Sequence, residues 1–156
     1  MLNSILSARN VVACLAFGCA VISIASAGDL VSDQFKRMQP CPSTPNCVSS
    51  EVESGSQSIA PLVSAGDGET LIEALKTYLE KDSAFSIIEV EAYYLRAEAR
   101  TRILRFVDDV EFQVCPDSNQ VDMRSGSRVG YSDLGKNRRR LEAIRKFLIE
   151  QKLATS

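Results

Sequence analysis

The residues with the most chemistry in this sequence stand close together, in Arg124-Ser125-Gly126-Ser127-Arg128-Val129-Gly130-Tyr131-Ser132-Asp133-Leu134-Gly135-Lys136-Asn137-Arg138-Arg139-Arg140. Guanidinium forks match planar oxyanions, hydroxyls and amides add donors, and free backbone amides at a helix start contribute partial positive charge. Such a stretch is suited to holding an anionic group. The candidate ligand-binding residues are Arg124, Ser125, Ser127, Arg128, Tyr131, Asn137 and Arg138, with Asp108, Asp109 and Asp133 in support. A structural reading stands beside this one: Ser132 or Asp133 caps the helix, Gly130 supplies an unusual dihedral, and Arg128 pairs with Asp108 or Asp109.

A catalytic alternative uses the same neighbourhood. Asp108 or Asp109 would be general base and Ser125 or Ser127 the nucleophile of a histidine-independent hydrolase or transferase. Adjacent residues on a regular strand point to opposite faces, so the two carboxylates converge only if a β-bulge intervenes. The chain has no histidine and no tryptophan, which removes Ser-His-Asp chemistry, Cys-His chemistry and histidine-based metal sites. No catalytic residue, cofactor or metal is therefore assigned, and the reading leans toward a non-catalytic binding module.

The elements that would position these residues can be read from periodicity. Asp67 is a plausible N-cap, and Leu71, Leu75 and Leu79 recur at four-residue spacing, which predicts a helix with an apolar stripe. From Ser86 the period changes to two. Ile88, Val90, Ala92 and Tyr94 alternate with Glu89, Glu91 and Tyr93, and Leu95, Ala97 and Ala99 alternate with Arg96, Glu98 and Arg100. Val110, Phe112 and Val114 alternate with Glu111 and Gln113, and Val121 and Met123 repeat the pattern after a Pro116-Asp117-Ser118-Asn119 turn. Leu141, Ile144, Phe147 and Leu148 give a closing helix. The expected fold is α+β: an antiparallel meander sheet of about four strands packed by two helices, with an extended disulfide-pinned N-terminal leader. The open sheet face is expected to carry Glu89, Glu91, Arg96, Glu98, Arg100, Arg102 and Glu111 in contact with water.

At the N-terminus a single charge, Arg9, precedes an apolar run from Val11 to Ile24 and the small residues Ala25-Ser26-Ala27. This is the layout of a cleavable secretory signal, and it predicts an exported protein, periplasmic or extracellular. The run is shorter than the ~20 apolar residues a spanning helix needs. An uncleaved leader or a lipidated Cys19 are the membrane-anchored alternatives. The expected division is a signal peptide over residues 1–27, an extended leader over 28–64 and a single α+β domain over 65–153. Outside the signal lie Cys41, Cys47 and Cys115. Cys41 and Cys47 enclose turn-forming residues and are expected to form a disulfide, worth about 2 kcal/mol by loop entropy, while Cys115 is left over.

Formal charge is −2, but residues 124–152 carry nine Lys/Arg against three Asp/Glu, whereas residues 28–123 carry eight against seventeen. That polarity either steers an anionic partner to the C-terminal part or joins two parts of one domain. Nucleic acid is a poor candidate, because the chain is acidic overall and the basic segment lacks interleaved aromatics.

Four blocks carry a resemblance: Cys41-Pro42-Ser43-Thr44-Pro45-Asn46-Cys47-Val48-Ser49-Ser50, Tyr94-Leu95-Arg96-Ala97-Glu98, Phe106-Val107-Asp108-Asp109-Val110-Glu111-Phe112, and Arg124-Ser125-Gly126-Ser127-Arg128 through Asn137-Arg138-Arg139-Arg140. In this order they resemble domain-of-unknown-function family 1499, which occurs in exported bacterial proteins and some photosynthetic eukaryotes. The resemblance implies one domain over most of the chain and supplies no catalytic residues. The expected partner is an unknown anionic small molecule, lipid or envelope protein, with peripheral membrane association open. A further alternative is an accessory subunit of a membrane-associated complex, contacting its partner through the sheet edge or the pair Tyr93 and Tyr94.

Overall fold

Among the described residues two helices form where apolar periodicity and capping coincide. The computed structural model describes residues 38–156, so the expected signal and the earlier part of the leader lie outside the described residues. Helix α1, Gly68–Glu80, opens on Asp67, whose carboxylate accepts from the Glu69 and Thr70 amides, and it buries Leu71, Ile72, Leu75 and Leu79. Helix α2, Lys136–Glu150, buries Leu141, Ile144 and Leu148. The helices meet where the rings of Tyr78 and Phe147 stack at 4.1 Å. Both pack on one face of the sheet, over Leu95, Ala97, Val110, Phe112, Val121 and Met123.

Among the described residues the sheet has seven strands, not about four. They are β1 (Cys47–Ser49), β2 (Leu62–Ser64), β3 (Phe85–Glu91), β4 (Tyr94–Arg100), β5 (Val107–Val114), β6 (Gln120–Ser127) and β7 (Ala154–Thr155). The expected meander is present as β3-β4-β5-β6, all antiparallel. The free edge of β6 then takes two more partners, β1 along its C-terminal half and β2 near its start, and β7 pairs with β2. Strands of two or three residues carry no readable period, so their existence depends on an edge supplied from far along the chain, as in Val63 against Gln120, Cys47 against Gly126 and Val63 against Thr155. Part of the segment read as an extended leader is thus sheet. The Cys41–Cys47 disulfide is present, and Cys115 is a free, half-buried thiol after β5.

Two further expectations are corrected. A register shift between Ile87 and Glu89 leaves Ile88 exposed, with Phe85 and Ile87 packed against the core instead. Tyr93 also packs on the core, while Tyr94 lies with Glu111 on the other face. That second face is not uniformly wet, since Glu111, Gln113 and Arg124 are all buried on it.

Candidate functional site

Strand alternation divides the candidate residues of the 124–138 stretch between two faces. On the helix side, Ser125 Oγ donates to Asn137 Oδ1 at 2.7 Å and accepts from Arg140 Nη1 at 2.8 Å. The Asn137 amide donates to Ser127 Oγ at 3.0 Å and to the Asn46 carbonyl at 2.8 Å. Arg140 Nη2 reaches Asp108 Oδ2 at 2.6 Å. Asp108 sits directly opposite Ser127 in the β5-β6 register, so these groups form one buried polar network under the start of α2.

On the opposite side, Arg128 grips Asp109 with a two-point fork at 2.9 and 2.8 Å and reaches Glu98 at 2.6 Å. The Arg128 hydrogen bonds hold the Asp109 carboxyl below the usual carboxylate range, against a smaller opposing push from burial. Arg124 Nη1 donates to Glu111 Oε2 at 2.7 Å, and the Tyr94 hydroxyl donates to Glu111 Oε1 at 3.0 Å. Gly126 allows this packing, because a Cβ there would lie 3.0 Å from Cys47 Sγ and 3.1 Å from Arg124 Nη2. Asp108 and Asp109 therefore diverge, as alternation requires.

Burial, reinforced by the neighbouring Glu111 charge and hydrogen bond, pushes the Tyr94 phenol far above its ordinary value. The sign of the pH effect follows. An unfolded chain ionises this tyrosine near pH 10 while the fold keeps it protonated, so stability is complete below about pH 10 and falls as pH rises further. Denaturant midpoints taken from pH 9 to pH 11 are expected to fall more steeply for the native protein than for Tyr94→Phe. Parallel slopes would remove Tyr94 as the cause.

The remaining candidates are dispersed. Arg138 Nη2 donates to the Ser58 and Ser56 carbonyls at 2.6 and 3.1 Å, and Tyr131 projects into solvent. The N-cap of α2 is Gly135, at φ +76°, rather than Ser132 or Asp133; in the turn before it Asp133 accepts from the Gly135 and Asn137 amides at 3.0 and 2.6 Å and Ser132 from the Leu134 amide at 3.3 Å. Those amides at the helix start are already occupied. Each candidate arginine likewise has an internal partner, and the candidate set does not converge on one point. Sequence reasoning gave no role to Arg140 or Asn46; besides local contacts with Asn137 and Thr44, their partners lie 15 to 91 residues away, beyond the reach of any local signal. Among the described residues no group of three His, Cys, Asp or Glu side chains is placed to hold a metal ion.

A different feature is assembled instead. The loop joining β4 to β5 and the loop joining β6 to α2 face each other across a cleft of about 680 Å³. Its walls are Ile103, Leu104 and Phe106 on one side and Val129 and Leu134 on the other, with Asp108 and Ser127 lining it from the sheet. Ile103 is 90 % and Leu134 84 % exposed, which is unusual for large aliphatic side chains lying near one another. Asn46, next to the disulfide, holds one wall: its side-chain amide donates to the Gly130 carbonyl at 2.5 Å, where the chain turns with φ +92°. Arg102 and Lys136 stand at the rim. Among the described residues neither has a carboxylate within 4 Å.

A family model described as a protein of unknown function, DUF1499, matches residues 37–148, well over half of the chain. Comparison with curated proteins and with solved structures returns no match.

Proposed function

Because this chain belongs to the DUF1499 family, whose activity is unassigned, we propose from its own geometry that it is a non-catalytic binding module for an anionic, lipid-like amphiphile. The observation that carries this reading is the cleft between the β4-β5 and β6-α2 loops, walled by exposed aliphatic and aromatic side chains and rimmed by Arg102 and Lys136. Apolar walls favour a hydrocarbon chain by about 25 cal/mol per Å² removed from water, and unpaired cations favour a negative end. The volume falls in the range of ordinary small-molecule pockets. A disulfide near one wall supports work in a non-reducing compartment, in keeping with an exported protein.

The test is titration calorimetry of oleoyl lysophosphatidylglycerol, below its micellar concentration, into the full chain and into the double variant Leu104→Asp, Leu134→Asp. Both positions are exposed, so the variant should fold. Affinity is expected to fall at least about tenfold, the loss anticipated when even one aliphatic contact of ~1.5 kcal/mol is removed. Equal affinities would refute the assignment.

A further inference from the structure

Beside the apolar cleft, and sharing Thr101, Arg102 and Lys136 with it, lies a second cleft of about 370 Å³ between the end of β4 and the first turns of α2. Five cationic side chains line it: Arg100, Arg102, Lys136, Arg139 and Arg140. Arg100 is held by Glu98 at 3.3 Å and Arg140 by Asp108 at 2.6 Å. Among the described residues Arg139 donates only to a carbonyl, that of Leu134. Among the described residues, no carboxylate lies within 4 Å of Arg102, Lys136 or Arg139. Among the described residues the one carboxylate that lines the cleft belongs to Asp82. Three uncompensated cations against one carboxylate leave two positive charges facing a single concavity.

We infer that this second cleft is a subsite for a phosphate monoester, the doubly charged headgroup of an amphiphile whose hydrocarbon chain lies in the apolar cleft next to it. The inference rests on the binding function proposed above, which it makes more specific. A phosphate monoester carries roughly −1.5 to −2 charges near neutral pH and three acceptor oxygens, which matches two surplus positive charges and several guanidinium donors. A phosphodiester carries one charge and would leave one cation unanswered. The shared wall at Thr101, Arg102 and Lys136 places headgroup and chain in adjoining spaces, so one molecule can fill both.

Calorimetry on the full chain with four probes tests this: oleoyl lysophosphatidic acid, oleoyl lysophosphatidylglycerol, glycerol phosphate and inorganic phosphate. Lysophosphatidic acid is expected to bind about tenfold more tightly than lysophosphatidylglycerol. Glycerol phosphate and inorganic phosphate should bind weakly and saturably. In Arg102→Glu with Lys136→Glu, two exposed and unpaired positions, that preference and the binding of both soluble phosphates should disappear. Equal affinities for the two lysolipids, with no soluble phosphate bound, would overturn the subsite while leaving the apolar cleft standing. Glycerol phosphate binding as tightly as lysophosphatidic acid would support the subsite, identify its source as a soluble phosphate ester, and overturn the amphiphile reading instead.

Discussion

Asp108→Ala is expected to destabilise the protein by about 3–5 kcal/mol, read as a lowered urea midpoint at neutral pH. The pair it breaks is buried, with the Asp108 side chain 3 % and the Arg140 side chain 10 % exposed, and their contact is 2.6 Å. Removing the carboxylate leaves a guanidinium that still donates to Ser125 and Asn137 but has lost its counter-charge. Stranded buried charge is the costly outcome; replacing both partners by apolar groups is often close to neutral. The double variant Asp108→Ala, Arg140→Met should therefore recover a good part of the loss. A single variant within about 1 kcal/mol of the native protein would mean that Arg140 swings into the adjoining cleft and finds water.

The second large effect is expected on the opposite face of the sheet. Glu111→Ala removes the acceptor for both Tyr94 Oη and Arg124 Nη1, inside a group of three buried side chains. Among the described residues Arg124 Nε already has no hydrogen-bond partner, so the variant leaves this cation with a second unmet need. A cost of about 3–5 kcal/mol follows from breaking a buried pair, against about 1 kcal/mol for Tyr94→Phe, which loses one hydrogen bond to the same carboxylate. The comparison is diagnostic. If the two variants cost the same, the ion pair contributes nothing beyond the phenol contact, and the strand pairing of β5 with β6 alone holds this face together.

Together these two networks explain how loops with exposed apolar side chains can be held in place. Asp108, Ser127 and Asn137 tie the sheet beneath the apolar cleft to α2, and Asn46 ties the disulfide loop to the turn at Gly130. A cleft whose walls rest on such ties needs less ordering when a ligand enters, which favours affinity. On the other face, Arg128 joins β4, β5 and the start of the β6-α2 loop through Glu98 and Asp109. Two of the arginines that sequence reasoning offered to a ligand, Arg124 and Arg128, are thus committed to the fold.

What the sequence determined by itself was everything carried by short-range periodicity and local turn chemistry. Both helices and the β3-β4-β5-β6 meander follow from spacings of two, three and four residues, and the Asp67 cap, the Cys41–Cys47 ring at a separation of six residues and the divergence of the adjacent Asp108 and Asp109 follow from equally local chemistry. The ordered blocks around Cys41, Tyr94, Asp108 and Arg124 also marked the family. Only the tertiary structure decided which charges are buried, which arginine meets which carboxylate, and which loops face one another. β1, β2 and β7 are too short to carry a pattern, and they exist because β6, and then β2, offers an edge. Likewise the cleft belongs to two loops more than twenty residues apart, brought together by the β5-β6 hairpin. Local propensity is a property of neighbours in the chain, whereas desolvation and charge pairing belong to neighbours in space, and those exist only once the backbone has closed on itself.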